Sequence, residues 1–253
     1  MREPISFWEN SERERDEVPR ENLERLADLQ RENEDRYAVP EEGVVPLPPP
    51  GLLGASRRRA INIAAILDAS TTASFLTSET YLAAVIVGLA FAESERQIAE
   101  LELVELIHHR GSCGEVGPFQ IMPVYLYDAT ETAIGKHFDL RSCWDVVPET
   151  PEEARSLDVY DRWYSEKFSI TKQAIAVVSY LDRWGTPLRR SIGSQEGLRW
   201  RLWMWAGLHH RGPSPDMENF PASYLSRYQS GIDLANRAIG EMIADDRKCR
   251  DRT

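Results

Sequence analysis

The stretch 81-YLAAVIVGLAFA-92 carries no charged side chain and is followed directly by Glu93. Apolar side chains are most stable out of water, so the folded chain must enclose this stretch. It falls well short of the roughly 20 apolar residues that cross a bilayer, so we expect no membrane span. The stretch therefore predicts a buried helix that is capped near Thr77 and Ser78 and ends at Glu93 or Glu95.

The composition restricts the partners that the chain can bind. Of its 253 residues 42% are hydrophobic, which is enough for a core, and its net charge is −11. Nucleic acids are bound through basic surfaces, so this charge argues against a nucleic-acid partner. The three cysteines have no disulfide or zinc spacing, and adjacent histidines such as His209 and His210 are poor chelators. We expect neither a metal nor another cofactor.

The N-terminal part of the chain differs from the rest. Residues 1–39 are rich in charge and contain one short apolar stripe, formed by Leu23, Leu26, Ala27 and Leu29. The stripe is too small for a core, so the segment is either a solvated, partly helical tail or a helix that docks on a partner. Residues 40–52 are rich in proline, which predicts a stiff linker and a folded domain over 53–253.

The folded domain is expected to be mainly α. Apolar positions at helical spacing predict further helices around 61–67, 124–137, 170–185, 196–207 and 221–246. Pro123 suits the first turn of one of them, and Gly185 is a stop signal for another. The segment 101-LELVELIHH-109 alternates in part and precedes a Gly-rich turn, which predicts a short strand or β-hairpin.

Glu93 lies where a carboxyl group is expected to hold its proton unusually well. Burial against an apolar helix and the negative end of the helix dipole both raise a carboxyl pKa, as a general acid requires. The alternative is that Glu93 only marks where the helix reaches solvent. Glu95 is about 200° further around the helix, so it is expected to face solvent.

A second element follows in 114-GEVGPFQIMP-123. Gly114 and Gly117 permit a tight turn and let the backbone approach a ligand closely. The amide of Gln120 can both donate to and accept from an N-acetyl group. A short GxxG followed by QxxP is a weak signal alone, but it becomes specific shortly after an apolar helix that ends in Glu-Ser.

Together these residues resemble the catalytic domain of the soluble lytic transglycosylases, and more broadly the goose-type and phage lysozyme-like muramidases. That family carries Glu-Ser at the end of a buried helix, then G-x-x-G-x-x-Q-[I/V]-x-P, then an A-Y-N-A-G-P-like segment and a Tyr-bearing last helix. The matching residues are Glu93, Ser94, Gly114, Gly117, Gln120, Ile121, Pro123, Gly212, Pro213, Tyr224 and Leu225. The helix with Tyr180 and Leu181 resembles the Y-L helix of the family, and the resemblance covers residues 60–240.

The chain departs from the family pattern in three respects. His209 and His210 stand where the family has tyrosine and asparagine, and Pro118-Phe119 stands where it has Leu-Met. The gap between Glu93 and Gly114 is also longer than is typical of the family. The histidines are either a partly exposed loop pair or contacts to a sugar, by stacking or by a hydrogen bond to its N-acetyl group.

The resemblance implies a lysozyme-like fold and cleavage of the β-1,4 bond between N-acetylmuramic acid and N-acetylglucosamine in peptidoglycan. Glu93 would protonate the bridging oxygen and then take the proton of the muramic 6-hydroxyl, closing a 1,6-anhydro ring. The substrate contacts implied are Ser94, Gly114, Gly117, Gln120, His209, His210 and Tyr224.

Two other functions remain open on the same resemblance. A hydrolytic muramidase or chitinase-like enzyme usually needs a second carboxylate. No spacing singles one out from the candidates Glu95, Glu102, Glu105, Glu115 and Asp128, which favours the transglycosylase. The other alternative is an inactive structural virion protein, which the departures at His209 and His210 favour.

The location of the protein is predicted from its N-terminus. The sequence MREPISFWENSERERDE lacks the apolar region of a secretory signal, so we expect synthesis in a cytoplasm without a signal peptide. Arg-Gly after a histidine resembles the phage versions of the family. The expectation is a phage virion protein, in the tail or internal, that acts in the bacterial cell wall or periplasm. Residues 1–50 would contact phage tail or other virion proteins.

Overall fold

The computed structural model describes residues 57–74, 76, 82–157, 162–192, 198–212 and 221–250. The predicted charged tail, the linker and the start of the domain at residue 53 lie outside these ranges. Helices account for 72% of the described part and strands for 3%, which confirms a mainly α protein. No helix in the described ranges is both long enough and apolar enough to span a membrane.

Nine helices follow one another in the described ranges. They are α1 Arg57–Ser74, α2 Leu82–Glu100, α3 Leu103–Ile107, α4 Pro123–Thr130, α5 Ala133–His137, α6 Pro151–Ser156, α7 Ile170–Ile192, α8 Leu198–Arg211 and α9 Ala222–Arg250. A 3-10 turn, Leu140–Cys143, lies between α5 and α6. Helices α1 and α9 pack along α2, and α7 packs against α1, α4 and α8.

Helix α2 is the central element of the core. Every side chain from Leu82 to Ala92 is buried, as the uncharged run predicts. Two glycines let α9 cross it closely, because a Cβ built on Gly231 would stand only 2.7 Å from the Cα of Gly88. Because of this crossing, the first turns of α9 lie beside the end of the apolar run.

The end of α2 differs from the prediction. The helix continues to Glu100, beyond both Glu93 and Glu95, but Ser94 interrupts it with non-helical angles (φ −137°, ψ 28°). The apolar run therefore ends at Glu93 as a helical segment, and a second, more polar segment follows the kink. The predicted cap at Thr77 and Ser78 lies outside the described residues.

The predicted strand over residues 101–109 is wrong. The segment forms helix α3, and at its start the Glu102 N–H donates to the Glu105 carboxylate at 3.1 Å. This N-terminal contact favours a helix, and Leu106 and Ile107 on its inner face are buried. Antiparallel bridges occur further along instead, where Val116 pairs with Arg110 and with Ile121.

Two other helix boundaries also differ from the prediction. The helix predicted over 124–137 begins at Pro123 as expected, but it ends at Thr130, and α5 then starts with a cap in which Thr132 accepts from the Gly135 N–H at 2.8 Å. Helix α7 continues past Gly185 to Ile192. A Cβ at Gly185 would overlap the Trp205 ring, so this glycine permits close packing of α7 on α8 rather than ending the helix.

Candidate functional site

The kink in α2 leaves Glu93 at the end of the apolar segment. Its side chain is 20% exposed, so the carboxyl group is mostly buried and still reachable from outside. Glu95 is exposed, as predicted, whereas the Ser94 side chain is fully buried. In this arrangement Ser94 faces the interior and does not present its hydroxyl to a ligand.

The last turn of α8 brings both histidines to this carboxylate. The Glu93 Oε1 atom lies 3.9 Å from Nε2 of His209 and 3.7 Å from Nδ1 of His210. The side chain of His209 is 2% exposed and that of His210 is 30% exposed. The interpretation of the pair as loop histidines is therefore wrong, because helix α8 extends through Arg211 and aims both rings at Glu93.

Two hydrogen bonds fix the tautomer of the neutral His209 ring. Its Nε2 lies 2.9 Å from the Phe119 carbonyl oxygen, which can only accept, so Nε2 carries the proton. Its Nδ1 lies 3.1 Å from the Tyr125 hydroxyl and accepts from it in the neutral ring. Burial lowers the pKa of His209, although the Glu93 carboxylate acts in the opposite direction. His209 is thus a buried, neutral ring that holds the site together.

Tyrosines close the site on two sides. Tyr125 stacks on Tyr180 with ring centroids 3.6 Å apart, and burial raises the pKa of Tyr125, so it keeps the proton that it donates to His209. Tyr224 lies in the first turn of α9, is buried, and packs against the His210 ring with centroids 4.4 Å apart. The Tyr224 hydroxyl interacts with Glu93 and helps to lower the pKa of that carboxyl.

The Gly-rich turn reaches the site through its backbone. Gly114, Gly117 and Gln120 have φ values of 83°, 72° and 49°, the left-handed region that favours glycine. The Gln120 amide donates to the Gly117 carbonyl at 2.7 Å, so its donor is used within the turn. The Phe119 carbonyl between them holds His209. The turn therefore supports Glu93 indirectly, through the histidine.

Gly114 faces a different part of the molecule. Its carbonyl accepts from the Trp163 indole at 2.9 Å, in an aromatic cluster with Trp144 and Phe168. The structure therefore brings together Glu93, His209, His210 and Tyr224. Gln120 and Gly117 lie on either side of Phe119, whose carbonyl links the turn to Glu93 through His209. Gly114 stabilises the turn itself.

The direction of the Glu93 pKa shift corrects the prediction. Burial is the largest single influence and raises the pKa, as expected. The side chains of His210, His209 and Tyr224 act against it, and together they lower the pKa below its ordinary value. The expectation of a raised pKa omitted the histidines because they are far from Glu93 in sequence. The free protein therefore holds Glu93 as a carboxylate.

Most of the other candidate carboxylates have structural partners of their own. Asp128 accepts from the Trp184 indole at 3.3 Å, Glu115 accepts from the Cys113 N–H at 2.8 Å, and Glu102 pairs with Arg58 at 2.6 Å. Within the described ranges no carboxylate figures among the groups that shift the pKa of Glu93. A nucleophile about 5–5.5 Å from the acid, as in retaining glycosidases, would be expected to do so.

Sequence reasoning missed Tyr125 and the Phe119 carbonyl. Tyr125 follows Pro123 by two positions, which places it in the first turns of α4, but no spacing rule distinguishes it from Tyr127 in the same helix. A backbone carbonyl leaves no trace in the residue type at all. Both are found only through their contact with His209.

Acid should destabilise the protein partly through His209. The pKa of this buried ring is lowered, so below the ordinary histidine value of about 6.5 the unfolded chain binds a proton that the folded state resists, and stability falls as the pH drops. His209→Gln, whose amide can donate and accept at the same place, should lose less stability than the wild type between pH 7.5 and 5. Urea unfolding at both pH values measures this. The exposed His137→Gln is the matched control, and an equal loss in His209→Gln and wild type would contradict the assignment.

Comparisons with known proteins give no further guidance to the role of this site. Protein-family models, curated proteins and solved structures were all compared with the chain, and none of them matches it. Within the described ranges, no three His, Cys, Asp or Glu side chains cluster as metal ligands would. The function has to be inferred from the Glu93 site and from the sequence motifs around it.

Proposed function

We propose that the protein is a peptidoglycan lytic transglycosylase with a lysozyme-like fold, in which Glu93 is the single acid and base. The observation that carries the proposal is the setting of this carboxyl group. It ends a buried apolar helical segment, is 20% exposed, and is surrounded by side chains from three other helices. The Glu-Ser, Gly-rich turn and last-helix motifs of the sequence support the same function.

The chemistry needs one carboxyl group in two protonation states. As an acid, Glu93 gives its proton to the oxygen between N-acetylmuramic acid and N-acetylglucosamine while the C1–O bond breaks. As a carboxylate it then takes the proton of the muramic 6-hydroxyl, whose oxygen bonds to C1 and closes the anhydro ring. A sugar that covers the exposed part of Glu93 removes water from it, which raises the pKa of the carboxyl toward the acid form.

No carboxylate in the described ranges is among the groups that shift the pKa of Glu93, which favours transglycosylation over hydrolysis. A hydrolytic muramidase of the usual kind needs another carboxylate to activate water or to form a covalent intermediate. The partly exposed groups of the site are instead His210 and, beyond it, Gln120. In this proposal they contact the glycan strand, and no cofactor takes part.

Mass spectrometry of the products tests the proposal. Purified peptidoglycan is digested with the protein, and the masses of the released muropeptides are measured without prior reduction. The expected products are one water lighter than reducing muropeptides. Reducing-end products would show a hydrolase, and a complete lack of products over a wide pH range would favour the structural virion protein.

Association with a phage virion is a further part of the proposal that rests on sequence alone. Residues 1–50 are its proposed contact with tail or internal virion proteins, and they lie outside the described ranges. A peptide of residues 1–50 should bind purified virion components of the same phage. Failure to bind any of them would remove the support for this location.

A further inference from the structure

The histidine pair poses a problem for a general acid. Glu93 has a lowered pKa in the free protein, so its resting form is the carboxylate, yet the first step needs a proton on it. Among the described residues, four titratable groups face it. They are His209 and His210 on α8, Tyr224 on α9 and Tyr125 on α4. Burial raises the pKa of both tyrosines well above its ordinary value, so neither one supplies a proton near neutral pH.

The two histidines differ in what they can do. The Nε2 proton of His209 is engaged by the Phe119 carbonyl at 2.9 Å, and its Nδ1 is engaged by Tyr125. A buried ring held at both nitrogens cannot take up and release a proton without breaking one of these bonds. His210 is 30% exposed, and its Nδ1 points at Glu93 Oε1 from 3.7 Å. A partly exposed imidazole can exchange a proton with water, which the enclosed ring of His209 cannot do.

We propose that His210 is the proton partner of Glu93, carrying the proton of the pair at rest and passing it to the carboxylate once a glycan strand covers the site. The inference rests on the proposed function. Exclusion of water removes the solvation of both charges, which favours a neutral acid beside a neutral ring over an ion pair. The 3.7 Å gap must shorten by about half an ångström or more, as catalytic hydrogen bonds commonly do on substrate binding.

The proton returns at the end of the cycle. In the first transfer the Nδ1–H bond of His210 breaks, its electron pair stays on nitrogen, and an O–H bond forms at Glu93 Oε1. Glu93 protonates the glycosidic oxygen and later receives the proton of the 6-hydroxyl, which passes back to His210 when the product leaves. A neutral His210 also avoids repelling the positive charge that develops at C1 of the sugar. His210 acts through Glu93 and positions its proton.

The pH dependence of muropeptide release distinguishes this role from a structural one. In the wild type, activity should fall as the pH rises and the Glu93–His210 pair loses its shared proton. In His210→Gln the fall should come about one pH unit lower, because the carboxyl must hold the proton by itself, giving roughly tenfold less activity at pH 7. His210→Lys should be weak at every pH, since lysine stabilises the carboxylate without releasing its own proton. The matched control, His137→Gln, should follow the wild type.

A second measurement separates this inference from the proposed function. The Glu93 carboxyl is titrated by carbon-13 NMR in the wild type and in His210→Gln. Loss of the His210 contact should raise the pKa of Glu93, and an unchanged titration, or an unchanged alkaline fall of activity, would overturn the proton partnership. A wild type without products at any pH would overturn the proposed function and the catalytic use of the pair, while the titration still decides whether the two residues are coupled.

Discussion

Replacing Glu93 by glutamine is expected to lower the rate of muropeptide release by roughly 10²- to 10⁴-fold, the usual contribution of a positioned acid–base group. Glutamine has nearly the same shape and keeps its place at the end of the apolar helix, but it can neither give up a proton nor take one. The loss should therefore appear in the chemical step at saturating peptidoglycan, with little change in binding of the insoluble wall.

Glu95→Gln is the matched control for this variant. It makes the same chemical change two positions along α2, on a side chain that is exposed on the far side of the kink. It should keep the wild-type rate and product masses. Both variants should unfold within a few degrees of the wild type in a thermal melt. If Glu93→Gln retained more than about a tenth of the wild-type rate, Glu93 would not be the acid.

Gly117→Ala is expected to have the largest effect on stability. Its φ of 72° costs an alanine about 1–2 kcal/mol, and the added Cβ would overlap the buried amide of Gln173. Overpacking of this kind costs a further 1–3 kcal/mol or so. The amide cannot retreat easily, since its nitrogen donates to the carbonyls of Ile107 and Phe168 at 2.9 and 3.1 Å. The sum is a loss of roughly 2–5 kcal/mol in the free energy of unfolding.

Gly212→Ala separates the two causes. Gly212 has a similar φ of 71°, but a Cβ there would lie 3.5 Å from the Tyr180 hydroxyl, an ordinary contact. This variant should lose only the conformational part, about 1–2 kcal/mol. Urea unfolding of both proteins measures the difference. Equal losses would show that the buried amide of Gln173 gives way, and that the Gly117 turn is less tightly packed than the structure indicates.

The parts of the fold that sequence predicts well are those set by local patterns. The uncharged run of α2 has to be buried wherever it lies, because exposure of so many apolar side chains is costly. Pro123 begins α4 because its ring angle suits a first turn and its missing N–H has no partner there. Gly117 lies in a turn because this turn position needs a positive φ, which glycine adopts without steric cost. In each case the physical cause acts within a few residues.

The errors occur where contacts distant in sequence decide the outcome. Gly185 looks like a helix end, but the Trp205 ring requires a glycine in mid-helix at this crossing. The alternation in residues 101–109 indicates a strand, yet the Glu102–Glu105 contact and the burial of Leu106 and Ile107 against the core favour a helix. The intrinsic preferences of residues for helix or strand are weak, and tertiary packing routinely overrides them.

The sequence by itself determined that an acidic residue closes a buried apolar helix and that a Gly-rich turn follows it. Only the tertiary structure decided the charge of that residue. Helix α8 brings His209 and His210 within 4 Å of Glu93, more than a hundred positions earlier in the chain, and together with Tyr224 they outweigh the effect of burial on its pKa. A pKa depends on the distances to neighbouring charges and hydrogen-bond donors, and distances between remote residues exist only once the chain has folded.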